Sequence, residues 1–177
     1  LEGLAHFVEH LVCENGGSSA KEINNFFRQH GGRVKLGQTG WHYTSYQFFV
    51  PANRDIVAAG LQMFGRMLLS AQIKNKIERE CQVIIGEFFR AYPVGFKLDL
   101  DTREHKMLYS DCWLSRFARP MGAPESVGLI TQANLQDSYD RHYTPANMSV
   151  VGVGGMQLAE LIKLLEESHF AVSKEGF

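Results

Sequence analysis

The sequence predicts an α+β fold with helices layered on a few strands. Three observations carry this. Most of the chain places apolar residues at helical spacing. One stretch, "YTSYQFFV", alternates with period two. Another, "MSVVGVGG", is a β-branched run bounded by glycines. With 45% hydrophobic and 21% charged residues, the 177-residue chain can bury a core, and it reads as a single domain.

The first helix is expected over residues 4–13. His6, Glu9, His10 and Cys13 gather on one face of it, while Phe7 and Leu11 project elsewhere. "ENGGSS" then breaks the chain. A capping box from Ser19 to Glu22 starts a second helix, with Ile23, Phe26 and Phe27 on its apolar side; Gly31 and Gly32 end it. In "YTSYQFFV", Thr44, Tyr46, Phe48 and Val50 share one side of a strand that Pro51 stops. Helices follow over 55–69 and 77–90. The first of these carries Val57, Leu61, Phe64 and Leu68 at helical spacing.

"AYPVGF" interrupts, "LDLDTREHKMLY" resumes helix, and "RPMGAPES" is a loop. Within it, "FARPMGAP" is a candidate to lie near a substrate. Thr131 caps the next helix and Pro145 follows its end. "MSVVGVGG" is expected as a buried strand. The last helix should turn Leu158, Leu161, Ile162 and Leu165 inward.

Several function classes are disfavoured at this level. A net charge of −1 supplies neither a basic face for nucleic acid nor a polybasic membrane anchor. No apolar run approaches the ~20 residues of a membrane span. The glycines of "VGVGG" lack the dinucleotide-binding spacing. Cys13, Cys81 and Cys112 have no zinc-knuckle or redox spacing and read as free thiols. They lean towards the cytoplasm, with periplasm or organelle equally compatible with the rest. The chain opens on Leu1 and runs straight into a helix, as a piece of a longer protein would.

The chemistry sits in "HFVEH". Its two histidines, at i and i+4, can meet at a point off the helix, a standard way to hold zinc. Glu9 lies on the same side and could reach a water there. A catalytic zinc needs a third protein ligand. Glu80 and Glu87, seven residues apart, project together from the fourth helix within a stripe containing Val83 and Ile84. Buried carboxylates need a partner, and a metal or a histidine would serve.

"GLAHFVEHL" resembles the inverted HxxEH motif of the pitrilysin/insulinase zinc metallopeptidases. Glu87 stands 77 residues beyond His10, within one residue of the family's usual gap to its third ligand, and Glu80 fills a second family glutamate in "ERECQVIIGE". "HGGRVKLGQTGWHYTSY" is similar to the family's Gly-Gly strand, and "YDRHYTPANMSVVGVGGM" to a later segment.

The resemblance implies a mixed, mainly antiparallel sheet with helices packed on it, forming one half of a metallopeptidase clamshell without its first strand. It implies one Zn2+ per chain held by His6, His10 and Glu87. Glu9 would be the general base acting on a zinc-bound water, and Glu80 a supporting carboxylate. Two neutral imidazoles and one carboxylate would leave the site near +1, which lowers the pKa of that water.

Thr39 and Tyr43 are candidate substrate-binding residues. Trp41, His42 and Tyr43 lie in "TGWHYTSY" and could line a peptide groove or simply pack. The sequence departs from the family at "KLGQT", where an Asn-Ala pair is usual and one residue is extra, and at Cys13, where phenylalanine is usual. The implied substrate is a peptide or unfolded polypeptide. The implied partner is a second homologous half-domain or subunit, which in the family supplies an arginine and a tyrosine. A non-catalytic peptide-binding or structural subunit of the same fold is the alternative, and a purely structural domain, with or without zinc, is a third.

Overall fold

The computed structural model describes residues 1–93, 95–112 and 119–171. Its elements, in chain order, are α1 (Leu4–Asn15), α2 (Ala20–Gln29), β1 (Arg33–Thr39), β2 (Thr44–Phe49), α3 (Arg54–Leu69), α4 (Ile77–Ala91), α5 (Gly95–Leu108), α6 (Pro124–Val127), α7 (Gln132–His142) and α8 (Leu158–Glu166). This is the expected α+β class, helix-rich, with a two-stranded antiparallel sheet among the described residues.

α1 is the centre of the core. Phe7, Val8, Leu11 and Val12 on one side of it are essentially inaccessible to solvent. They pack with Ile23 and Phe27 of α2, Phe64 and Met67 of α3, Ile84 of α4 and Leu135 of α7. Phe27 stacks on Phe48 at 4.9 Å and meets Phe64 edge-on at 6.0 Å. Burying one such ring contributes about 2–3 kcal/mol. α1 is therefore clamped on several sides, so its remaining face holds its side chains at a fixed height above the core.

The local signals act as their chemistry requires. In α2, Ser19 Oγ accepts from the Glu22 amide at 3.3 Å and the Glu22 carboxylate accepts from the Ser19 amide at 2.9 Å. Asn53 caps α3 by accepting from the amides of Asp55 and Ile56. Thr131 caps α7. Lys76 precedes α4 with positive φ and ties that end to α1 through Glu14, at 3.0 Å.

β1 and β2 pair from Arg33↔Phe49 to Thr39↔Thr44, with Val34, Leu36, Tyr46, Phe48 and Val50 against the core. Between Lys35 and Gln38 the pairing shifts: β1 advances three residues while β2 advances two. Leu36–Gly37 thus form a bulge, which bends the strand and re-aims the residues beyond it.

Three expectations need correction. Residues 148–155 are neither strand nor buried: Val151 is 85% and Val153 97% exposed. A β-branched run becomes a buried strand only beside another strand, and the described sheet ends at β1 and β2. In α8 the fully buried residue is Leu164, whereas Leu158 and Ile162 face solvent. The apolar face of this helix runs from Leu164 to Ile162, and the chain covers the Leu164 edge of it. Finally, the loop expected over 119–126 ends in a helical turn, α6. Pro124 sits at its first position, and Ser126 Oγ accepts from the Ala123 amide. Phe117 and Ala118 of the "FARPMGAP" expectation lie outside the described residues.

Candidate metal centre

α1 presents His6 and His10 towards α4, which presents Glu80 and Glu87 in return, while Glu9 meets β1. His6 Nε2 and His10 Nε2 lie 3.3 Å apart. Glu87 Oε2 is 3.6 Å from the first and 3.4 Å from the second. These are the three residues that the described chain gathers as a possible metal-holding group.

The spacing can be tested against zinc. Bonds of about 2.0–2.1 Å at tetrahedral angles put neighbouring donors about 3.3–3.4 Å apart. The three observed separations fall at or just beyond that value, and the donor types suit zinc. The set fits the ion.

Each ligand candidate has a physical setting. His10 Nδ1 lies 3.2 Å from Glu80 Oε2, and Glu80 is 3% exposed. A carboxylate there makes Nδ1 the protonated nitrogen and leaves the Nε2 lone pair facing Glu87 and His6. Burial, with His10 as a lesser contribution, holds the His6 pKa down to about 4. The His6 ring is therefore neutral near pH 7 and keeps a lone pair. Its Nδ1 is buried without a hydrogen-bond partner. The oxygen Oε1 of Glu80 is also buried without one, with Arg79 Nε 3.7 Å away. Glu87 additionally faces Arg90 at 3.7 Å.

Glu9 is buried at 8% exposure, and Oε2 of its carboxylate accepts from Thr39 Oγ1 at 2.6 Å. Burial raises its pKa, and the Thr39 hydrogen bond opposes that rise. Gly37, in the β1 bulge, lies against the same carboxylate: a Cβ there would sit 2.6 Å from the Glu9 carboxyl carbon. The hairpin thus holds the carboxylate from two sides.

An open cavity of about 360 Å³ lies over this group. His6, Glu9, His10 and Glu87 line it, and Gly37, Gln38 and Thr39 form one side. Tyr92, Arg119, Pro120 and Met121 also line it. The "FARPMGAP" stretch therefore reaches the cavity through its described residues. Thr39 lines the cavity with its hydroxyl engaged by Glu9; Tyr43, 65% exposed, is not among the lining residues. Trp41 stacks on His105 at 4.4 Å, joining the hairpin tip to α5.

Sequence reading reached Arg119 only as part of "FARPMGAP" and did not name Gly37 or Tyr92. A glycine inside a strand pattern is a recognisable bulge signal. No periodicity marks Tyr92 or Arg119.

Two family models match the chain: "Insulinase (Peptidase family M16)" over residues 1–91 and "Peptidase M16 inactive domain" over residues 129–175. Among curated proteins, the chain is 26% identical to the probable zinc protease PqqL of Escherichia coli, over 94% of this chain and 18% of that protein. It is 25% identical to the mitochondrial-processing peptidase subunit beta of Blastocladiella emersonii, over 93% and 34%. It is 27% identical to nardilysin of Rattus norvegicus, over 99% and 16%. The chain thus spans about a third or less of the length of these relatives.

Among solved structures, the first half of the periplasmic protease PqqL from Escherichia coli aligns with a TM-score of 0.79 at 22% identity, covering 99% of this chain and 38% of that one. Pitrilysin aligns at 0.72 and 19% identity, covering 98% and 19%. With half of its residues inside the insulinase model and its fold shared with these proteases, the chain belongs to the insulinase family of peptidases, peptidase family M16.

Proposed function

We propose that this chain is the zinc-holding part of a metalloendopeptidase that hydrolyses peptides or unfolded polypeptides. The observation that carries the proposal is the set of three donor atoms, from two helices, spaced 3.3–3.6 Å apart beside a buried carboxylate. In this reading His6, His10 and Glu87 hold one Zn2+. Bound there, the ion supplies Lewis acidity, acidifying a water and polarising the scissile carbonyl.

The remaining work falls to the protein's own groups. Glu80 accepts from His10 Nδ1–H and so fixes the orientation of that ring. Thr39 holds Oε2 of Glu9 and so orients the carboxylate that takes the proton from the attacking water and hands it to the departing amine nitrogen. Burial that raises the Glu9 pKa brings it closer to the working pH, where a carboxylate both accepts and returns a proton efficiently. The hairpin strand β1 borders the cavity and offers an edge along which a peptide can lie.

The relatives are several times longer than this chain. The proposal therefore includes a second homologous half-domain or subunit that closes over the cavity and completes the site. A non-catalytic subunit of the same fold would have no use for a buried Glu9 oriented by Thr39 beside the donor set.

The test uses the full-length protein that carries this chain. Elemental analysis should find one zinc per chain. Glu9→Gln should keep the zinc and abolish cleavage of a quenched peptide, and His10→Ala should lose both. Full cleavage by Glu9→Gln would overturn the general-base role. Absence of bound zinc from the active wild-type protein would overturn the metal reading.

A further inference from the structure

Arg119 is the lone lysine or arginine lining the cavity among the described residues. Its backbone is fixed. The Arg119 amide donates to Glu2 Oε1 at 3.2 Å, and its carbonyl accepts from the Gly122 amide at 3.2 Å. Ser126 Oγ donates to the Glu2 carbonyl at 3.0 Å, tying α6 to the same point. The side chain crosses to the end of α4, where its guanidinium carbon stands 5.4 Å from the Phe88 ring and 5.6 Å from the Tyr92 ring.

Two of its nitrogens, Nε and Nη1, are buried without an acceptor among the described residues. Among the described residues no carboxylate lies within ion-pair distance of it. Glu87, on the same cavity, is taken up by His6, His10 and Arg90. Two aromatic faces offset part of the cost of desolvating this cation, but they leave the donors on Nε and Nη1 unused. Structural arginines usually meet a carboxylate or carbonyl. This one is braced on two rings and lines the cavity above the donor set. A guanidinium of that kind suits one ligand group best, a carboxylate.

We infer that Arg119 is a specificity-determining residue that binds the side-chain carboxylate of an aspartate or glutamate in the peptide substrate, close to the scissile bond. This rests on the peptidase reading above. It adds a preference that neither the donor set nor Glu9 would produce.

The experiment uses the full-length, zinc-loaded protein carrying Glu9→Gln, and peptides capped at both ends. Matched peptides carry a single Glu, Gln or Lys at each position flanking the bond that the wild-type protein cleaves. At one position the Glu peptide should bind about tenfold tighter than the Gln peptide, or more. Arg119→Gln should collapse that ratio towards one, and Arg119→Glu should invert it in favour of Lys. The same ratios should appear in kcat/KM when Glu9 is intact. Zinc content and the circular dichroism spectrum report that each variant is folded.

Equal binding of Glu and Gln peptides by zinc-loaded protein that cleaves peptides overturns the role of Arg119 and leaves the peptidase reading standing. A preference confined to uncapped peptides with free C-termini overturns the side-chain assignment. Absence of zinc and of cleavage in the wild-type protein overturns the underlying reading and this inference with it.

Discussion

The tightest contact around the candidate base is also the easiest to perturb. Gly37 has no positive φ, so alanine suits its backbone. The difficulty is space. An added methyl carbon would lie 2.6 Å from the Glu9 carboxyl carbon and 2.8 Å from its Cγ. Ordinary carbon contacts are about 3.5–4.0 Å. The carboxylate must therefore retreat by about 1 Å, which stretches the 2.6 Å hydrogen bond from Thr39 towards breaking. A misplacement of about 1 Å near the reacting atoms costs on the order of 100-fold in rate, or about 2.7 kcal/mol of barrier. We therefore expect Gly37→Ala to lower kcat/KM of the full-length, zinc-loaded protein by about two orders of magnitude, since the metal donors are untouched. Cleavage of an internally quenched peptide, with zinc content and melting temperature as controls, provides the assay. A variant with normal zinc content and kcat/KM within about threefold of wild type would refute the claim that hairpin packing positions Glu9.

Two further outcomes follow from the donor set. Glu80→Gln should weaken zinc binding by roughly 10- to 100-fold, because the carboxylate that fixes His10 is lost; competition with a chromogenic chelator measures it, and unchanged affinity removes Glu80 from the supporting role. For the metal-free protein, the lowered His6 pKa sets a pH dependence. The unfolded chain takes up a proton near 6.5 and the folded chain only near 4. Stability is therefore fully present above pH 6.5 and falls as pH drops from 6.5 to 4, by up to about 3 kcal/mol from this residue. Urea unfolding across that window should show the loss, and His6→Gln should flatten it.

The legible parts of this chain are those whose cause is local. Ile23, Phe26 and Phe27 repeat at helical spacing behind a Ser19–Glu22 box, and α2 forms there. His6 and His10 are one turn apart on a helix whose other side is Phe7, Val8, Leu11 and Val12, so their direction was fixed once α1 was. Glu80 and Glu87 could be placed together for the same reason. What escaped depends on distant neighbours. Val151 and Val153 read as core because β-branched runs usually are, yet burial needs an adjoining strand that composition does not reveal. Helical spacing groups Leu158 and Ile162 with the apolar face of α8, but packing against the rest of the chain covers its Leu164 edge. Arg119 owes its place to the carboxylate of Glu2, 117 positions earlier, an interaction no sequence pattern announces. The extra residue in "KLGQT" was visible, but only strand pairing showed that Leu36–Gly37 form a bulge beside Glu9.

Gly3, at the start of α1, and Gly122, in the turn beyond Arg119, touch backbone to backbone. Both adopt positive φ, and a Cβ on either would fall 2.8 Å from a carbonyl oxygen of the other segment. The helix carrying His6 and the turn carrying Arg119 are consequently one mechanical part. If Arg119 sets a peptide preference and His6 holds zinc, a different turn grafted here would shift the first turn of α1 as well and change both together. Libraries that randomise 119–123 while sparing Gly122 are the ones expected to retain zinc affinity.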